Sequence, residues 1–128
     1  MKKYYVAIAF LAFALTSCNS GAEKKEEKAG APSAANLSAD PDYTKGLELV
    51  AKSDCLTCHK VSEKLTGPAY KEVALKYETN DENIEMLAKK IIKGGQGNWG
   101  PIPMTPHASL SDDDAKQMVK YILLLRNK

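Results

Sequence analysis

From Tyr43 to the C-terminus the sequence predicts an all-α domain of about four short helices, and three observations carry that expectation. No segment alternates apolar and polar residues as a half-buried strand does, several repeat apolar residues at helical spacing, and capping residues flank the longest of them. The composition, 44% hydrophobic and 27% charged over 128 residues, is that of an ordinary globular chain long enough for one domain.

Taken in order, Tyr43 to Lys52 and Pro68 to Tyr77 are the two shorter candidates, the second with proline at a favoured first position. A third helix is expected from about Asp81 to Lys93, with Ile84, Leu87, Ala88 and Ile91 on one face. Thr79 and Glu82 stand at capping-box spacing before it, and Gly94 and Gly95 stop it. The fourth runs from Ser111 to Arg126. Ala115, Met118, Val119 and Ile122 share a face, Ser111 can cap the start, and Asp112 to Asp114 suit the positive end of the helix dipole. Between the last two lies GGQGNWGPIPMTPHASL, Gly94 to Leu110, whose glycines and prolines argue against regular structure and which holds the only tryptophan, Trp99. A long irregular loop carrying large apolar residues in a small domain is usually functional.

Four such helices would leave a thin core, because a domain of this size buries little more than about 60% of its unfolded surface. Something besides side chains should help to fill the middle.

Residues 1–17 have a different character. Lys2 and Lys3 precede an apolar run from Val6 to Leu15, followed by Thr16 and Ser17, the order of a secretory signal peptide too short to span a bilayer alone. It ends in LTSC, Leu15 to Cys18, which resembles a bacterial lipobox; that resemblance implies lipidation of Cys18, the first residue of the mature chain. A plain secretory signal is the alternative. Residues 18–41, including EKKEEK, offer almost nothing to bury and are expected to form a disordered tether with an r.m.s. span of roughly 25 to 30 Å. The domain proper is then residues 42–128. There 13 Lys and Arg face 12 Asp and Glu, a balance that gives no electrostatic case for nucleic acid.

The chemistry concentrates in SDCLTCHKVS, where Cys55, Cys58 and His59 fall within five residues. Two cysteines in an exported chain can form a disulfide or a redox dithiol, but C-x-x-C next to His is the pattern of covalent haem attachment. On one helical turn both thiols face one side, where they can add to the two vinyl groups of a porphyrin, and the following histidine projects from that face toward the iron. Zinc would need further strong ligands, of which the rest of the chain offers His107. A thioredoxin-like dithiol expects a βαβ context that the pattern lacks. Haem also answers the thin core. For a sixth ligand, Met104 sits in GPIPMTPH, where Pro101, Pro103 and Pro106 stiffen the chain around it. His107 is the competitor, and an open position is the third possibility.

In order and spacing, CLTCHK, then TGPAYKEVALKY, then GGQGNWGPIPMTPH resemble the class I mono-haem cytochromes c of the short bacterial type, over about Tyr43 to Arg126. The resemblance implies a small cytochrome c fold around one covalently bound haem c. Cys55 and Cys58 would carry the thioether links, with His59 the proximal and Met104 the distal ligand of the iron. It also implies that the Pro68 carbonyl accepts a hydrogen bond from the free ring nitrogen of His59, and that Trp99 lies beside a haem propionate. Gly46 on the first helix would meet Tyr121 on the last.

With both axial positions filled, the expected role is single-electron transfer between membrane-associated redox donor and acceptor proteins, not bond chemistry. The protein is expected to be a monomer facing the periplasm of a bacterial cell envelope and anchored to a lipid membrane through Cys18. Lys60, Lys64 and Lys93 are candidates for a docking ring. A haem protein with a labile sixth ligand and a haem-free dithiol protein are the alternatives.

Overall fold

A computed structural model describes residues 37–127. Four helices make up most of it: α1 Pro41–Lys52, α2 Tyr70–Lys76, α3 Asp81–Lys93 and α4 Asp112–Leu124. Short 3-10 turns cover Leu37–Ala39, Asp54–Thr57 and Leu125–Asn127. A two-stranded antiparallel hairpin, β1 Gly95–Gly97 with β2 Gly100–Met104, lies between α3 and α4. Among the described residues no helix is long and apolar enough to cross a membrane.

The fold begins earlier than residue 42, where the sequence pattern put its start. Asp40 caps α1 by accepting from the Asp42 N–H, Pro41 occupies the first turn, and Leu37 is fully buried in the core. Aspartate followed by proline is a strong helix start, since proline lacks the N–H that would otherwise go unbonded there. The signal segment, Cys18 and the remainder of the expected tether lie outside the described residues.

Helix α4 is the spine. It buries Ala115, Met118, Val119, Tyr121, Ile122 and Leu123, and α1, α2 and α3 all pack against it. At the α1–α4 crossing Gly46 lies directly against Tyr121. A methyl group in its place would overlap Tyr121 Cβ and sit 2.6 Å from the Gln117 carbonyl oxygen. Tyr43, one turn earlier, meets the Tyr121 ring edge-on with centroids 5.2 Å apart. Gln117 fixes the register of the crossing by donating to the main-chain oxygen and the carboxylate of Asp42, at 3.2 and 3.0 Å.

Caps explain the helix ends. Ser111 accepts from the Asp114 N–H at the start of α4. Helix α3 is capped by Asn80, accepting from the Asn83 N–H at 2.8 Å, and not by the Thr79–Glu82 pair. Its C-terminus turns at Gly94, where φ is +69°. Helix α2 starts two residues after Pro68, where the Glu72 carboxylate accepts from the Ala69 N–H at 2.9 Å. Arg126 closes its other end, donating to the Ala74 and Tyr77 carbonyls.

The hairpin is the principal departure from the sequence pattern, which argues for irregular chain there. Prolines at 101 and 103 are compatible with β2 because it is an exposed edge strand, where a missing N–H costs no ladder bond. Glycines 95, 97 and 100 supply the positive φ that the turn and shifted register require.

Candidate functional site

After α1 ends, the Asp54–Thr57 turn raises Cys55, Cys58 and His59 onto one wall of a cleft. The Cys58 and His59 N–H groups both bond the Cys55 carbonyl, at 3.2 and 3.0 Å, so the three side chains leave a single tight turn. Both thiols are free; Cys55 is half-buried and Cys58 exposed. Burial pushes the Cys55 thiol above its ordinary range.

His59 is held on three sides. Its Nδ1–H donates to the Pro68 carbonyl at 2.8 Å, which orients the ring and leaves Nε2 as the nitrogen that can coordinate a metal. The Tyr70 ring stacks beside it at 5.3 Å and 17°. Gly67 backs it so closely that an added Cβ would lie 2.8 Å from both ring nitrogens. Burial raises the Tyr70 phenol well above the usual tyrosine range, so the ring presents a neutral face to the imidazole. Neither Gly67 nor Tyr70 stands out from spacing alone. Glycine immediately before Pro68 was the available signal of a close backbone approach.

The opposite wall is the hairpin. Met104 ends β2, paired with Gly95, and is half-buried. Gly94 leaves no room for a side chain beside the Met104 carbonyl and Pro106. Trp99 lies at the hairpin tip beneath the Lys76 ammonium, 4.4 Å from the ring centroid, and Lys76 also donates to the Asn98 carbonyl at 3.1 Å.

Cys55, Cys58, His59, Pro68, Trp99 and Met104 all line this one cleft, of about 440 Å³. So do Lys64 and His107. Lys60 is exposed and pairs with Glu63 at 3.1 Å, while Lys93, near the end of α3, lies outside the cleft. Cys18 falls outside the described residues. His107 points its Nε2 at Asp54 Oδ1, 2.9 Å away, and its Nδ1 is buried, so neither ring nitrogen is free to reach into the open cleft.

The walls suit a large flat apolar group. Leu65 is 46% exposed and Ile102 60%, and Met86 and Trp99 are also exposed; all four line the cleft, where a planar macrocycle would cover them. The donor set of two free thiols, an imidazole with its lone pair available, and a thioether matches covalent haem with two axial ligands. Among the described residues no three His, Cys, Asp or Glu side chains converge as a zinc site would require.

Comparison with known proteins agrees with this chemistry. Residues 43–126 match the family described as Cytochrome c. Cytochrome c-552 of Nitrosomonas europaea is 44% identical over 79 residues, which is 62% of this chain and 77% of that protein. Cytochrome c-551 of Allochromatium vinosum is 40% identical over 87 residues, 68% of this chain and 93% of that one. The crystal structure of the Nitrosomonas europaea cytochrome c552 superimposes with a TM-score of 0.59, covering 62% of this chain and 99% of that chain. The chain thus belongs to the cytochrome c family as a class I mono-haem member: an electron carrier and not an enzyme, with one covalently bound haem c as its cofactor.

Proposed function

We propose that this protein is a membrane-tethered electron shuttle whose haem is joined to Cys55 and Cys58 and ligated by His59 and Met104. The observation that carries the ligand reading is the His59 ring, committed through Nδ1 to the Pro68 carbonyl. That leaves Nε2 as the coordinating atom, in a cleft that Met104 and both thiols also line. Bound there, haem supplies a one-electron couple between ferrous and ferric iron.

The chain's own residues determine how that couple is used. The Pro68 carbonyl orients the imidazole and raises its basicity. Met104, as a thioether ligand, would raise the reduction potential relative to harder ligands. His59 and Met104 would hold the iron and Cys55 and Cys58 the macrocycle, so the bound group would supply one-electron exchange and leave no coordination position for a substrate. Trp99, held under Lys76 on the cleft lining, would lie beside a haem propionate. Of the three candidate lysines, Lys64 lies on the cleft lining and would supply positive charge for a small, transient encounter with redox partners.

Acylation of Cys18 would anchor the protein to the membrane in the periplasm, since two or more acyl chains hold stably where one does not. Residues 18–36 then act as a leash, raising the effective concentration of the domain for partners within reach. The LTSC sequence supports this part. In the native host, Cys18→Ser should release a soluble, haem-loaded protein; continued sedimentation with membranes would overturn the anchor. The ligand assignment is tested by the weak long-wavelength absorption of Met-ligated ferric haem. It should vanish in Met104→Ala and survive in His107→Ala, and the opposite pattern would transfer the role to His107.

A further inference from the structure

We infer that the His107–Asp54 hydrogen bond is a clamp that holds the Met104 segment against the haem-attachment turn, making both positioning residues for the sixth ligand. The inference rests on the reading of Met104 as that ligand. Three observations carry it.

First, the bond joins residues 53 apart in sequence that flank the two walls of the cleft: Asp54 immediately precedes Cys55, and His107 lies three residues beyond Met104. Met104 is otherwise held from the α3 side, through its pairing with Gly95 and the close approach of Gly94, and from the far end of the hairpin by Lys76. None of these contacts ties it to the turn that carries the thiols.

Second, the His107 ring is placed for this bond. The His107 main-chain N–H donates to the Ile91 carbonyl at 3.1 Å and the His107 main-chain carbonyl accepts from the Leu110 N–H at 3.1 Å, so the backbone that bears the ring is fixed. The side chain is only 18% exposed, whereas Asp54 is 78% exposed and reaches in from solvent. A carboxylate can only accept, so Nε2 carries the proton.

Third, among the described residues Nδ1 is buried without a partner. The ring therefore has one polar contact to compensate its removal from water, and losing that contact leaves the imidazole without any. Such a side chain would move with its loop rather than remain in place.

A ligand segment clamped at both ends opens rarely, and an external ligand binds the iron only in the open fraction, so apparent affinity reports how well the clamp holds. The test is cyanide binding to the ferric, haem-loaded protein, followed beside the long-wavelength absorption and the thermal midpoints of that band and of the far-ultraviolet helical signal. Asp54→Ala and His107→Ala should each keep the band at room temperature and bind cyanide about fivefold more tightly, as expected for one lost hydrogen bond. The band should melt earlier while the helical midpoint moves little. Asp54→Asn, which keeps an acceptor oxygen, should stay within about twofold of the unaltered protein, and the double alanine variant should go no further than either single one. Unchanged cyanide affinity in Asp54→Ala, or band and helix midpoints falling in step, would overturn the clamp. Absence of the band from the unaltered protein would instead overturn the Met104 reading on which the clamp rests, and is seen before any variant is made.

Discussion

The wall of the cleft that carries His59 is laced together by main-chain hydrogen bonds, whereas the wall that carries Met104 is an exposed hairpin held mainly at its margins. On the first, Gly67 N–H bonds the Cys58 carbonyl at 2.8 Å, and Tyr70 and Lys71 N–H bond the Lys60 and Val61 carbonyls at 2.9 and 3.0 Å. These bonds fold the chain back on itself so that Gly67, Pro68 and Tyr70 reach the imidazole. On the second, β2 is exposed along all but its last residue; apart from its pairing with β1 and the His107 main-chain N–H on the Ile91 carbonyl, it is held by two side chains, Lys76 at the tip and His107 beyond the end. Cooperative backbone networks open together or not at all, while side-chain anchors can be lost singly. On the proposed ligation, His59 is thus the permanent ligand, and Met104 is the one that sequence changes can tune.

Substitutions can break or sharpen that contrast. The largest expected effect is Met104→Ala, which should abolish the long-wavelength ferric absorption and lower the potential while leaving the helical signal of the loaded protein intact. A collapse of helical structure would mean that the hairpin wall supports the frame after all. Next, Leu37→Ala should cost about 2 to 5 kcal/mol of stability in denaturant titration, as for other large-to-small core changes. It acts through the helical frame, so both walls should fail together. Gly67→Ala should cost about 1 to 3 kcal/mol from overpacking and disturb the His59 side first, which the ring resonances of His59 in a nuclear magnetic resonance spectrum would register. The smallest effect belongs to Lys76→Ala. Losing the cation over Trp99 is worth about 0.5 to 1 kcal/mol and should increase Trp99 fluorescence quenching by added iodide, with the His59 wall unaffected.

The same contrast decides what was legible in the sequence. Helices α3 and α4 are readable from their apolar faces and from Ser111, because amphipathic periodicity and capping are local properties. Of the cleft residues, Cys55, Cys58, His59 and Met104 were accessible from the sequence itself, as thiols three apart, a histidine next to the second and a methionine among prolines, whereas Pro68 and Trp99 entered only through the family resemblance. The start of α1 was harder. Asp40 and Pro41 signal it locally, but Leu37 is one apolar residue in a polar run, and only its contact with the core shows that it belongs there. The choice of Asn80 over Thr79 as the α3 cap turned on one residue of register. The hairpin depended on backbone angles that several glycines permit and none compels. The Asp54–His107 bond joins positions 53 residues apart with no periodic signal between them, and such pairings become visible only once the chain is folded.

The most direct test of the central claim is mass spectrometry of the matured protein, intact and after digestion under denaturing conditions. The account predicts a polypeptide heavier by one haem, with the added mass retained on the peptide that contains Cys55, Cys58 and His59. A chain that releases its haem on denaturation, or carries it on any other peptide, would contradict it.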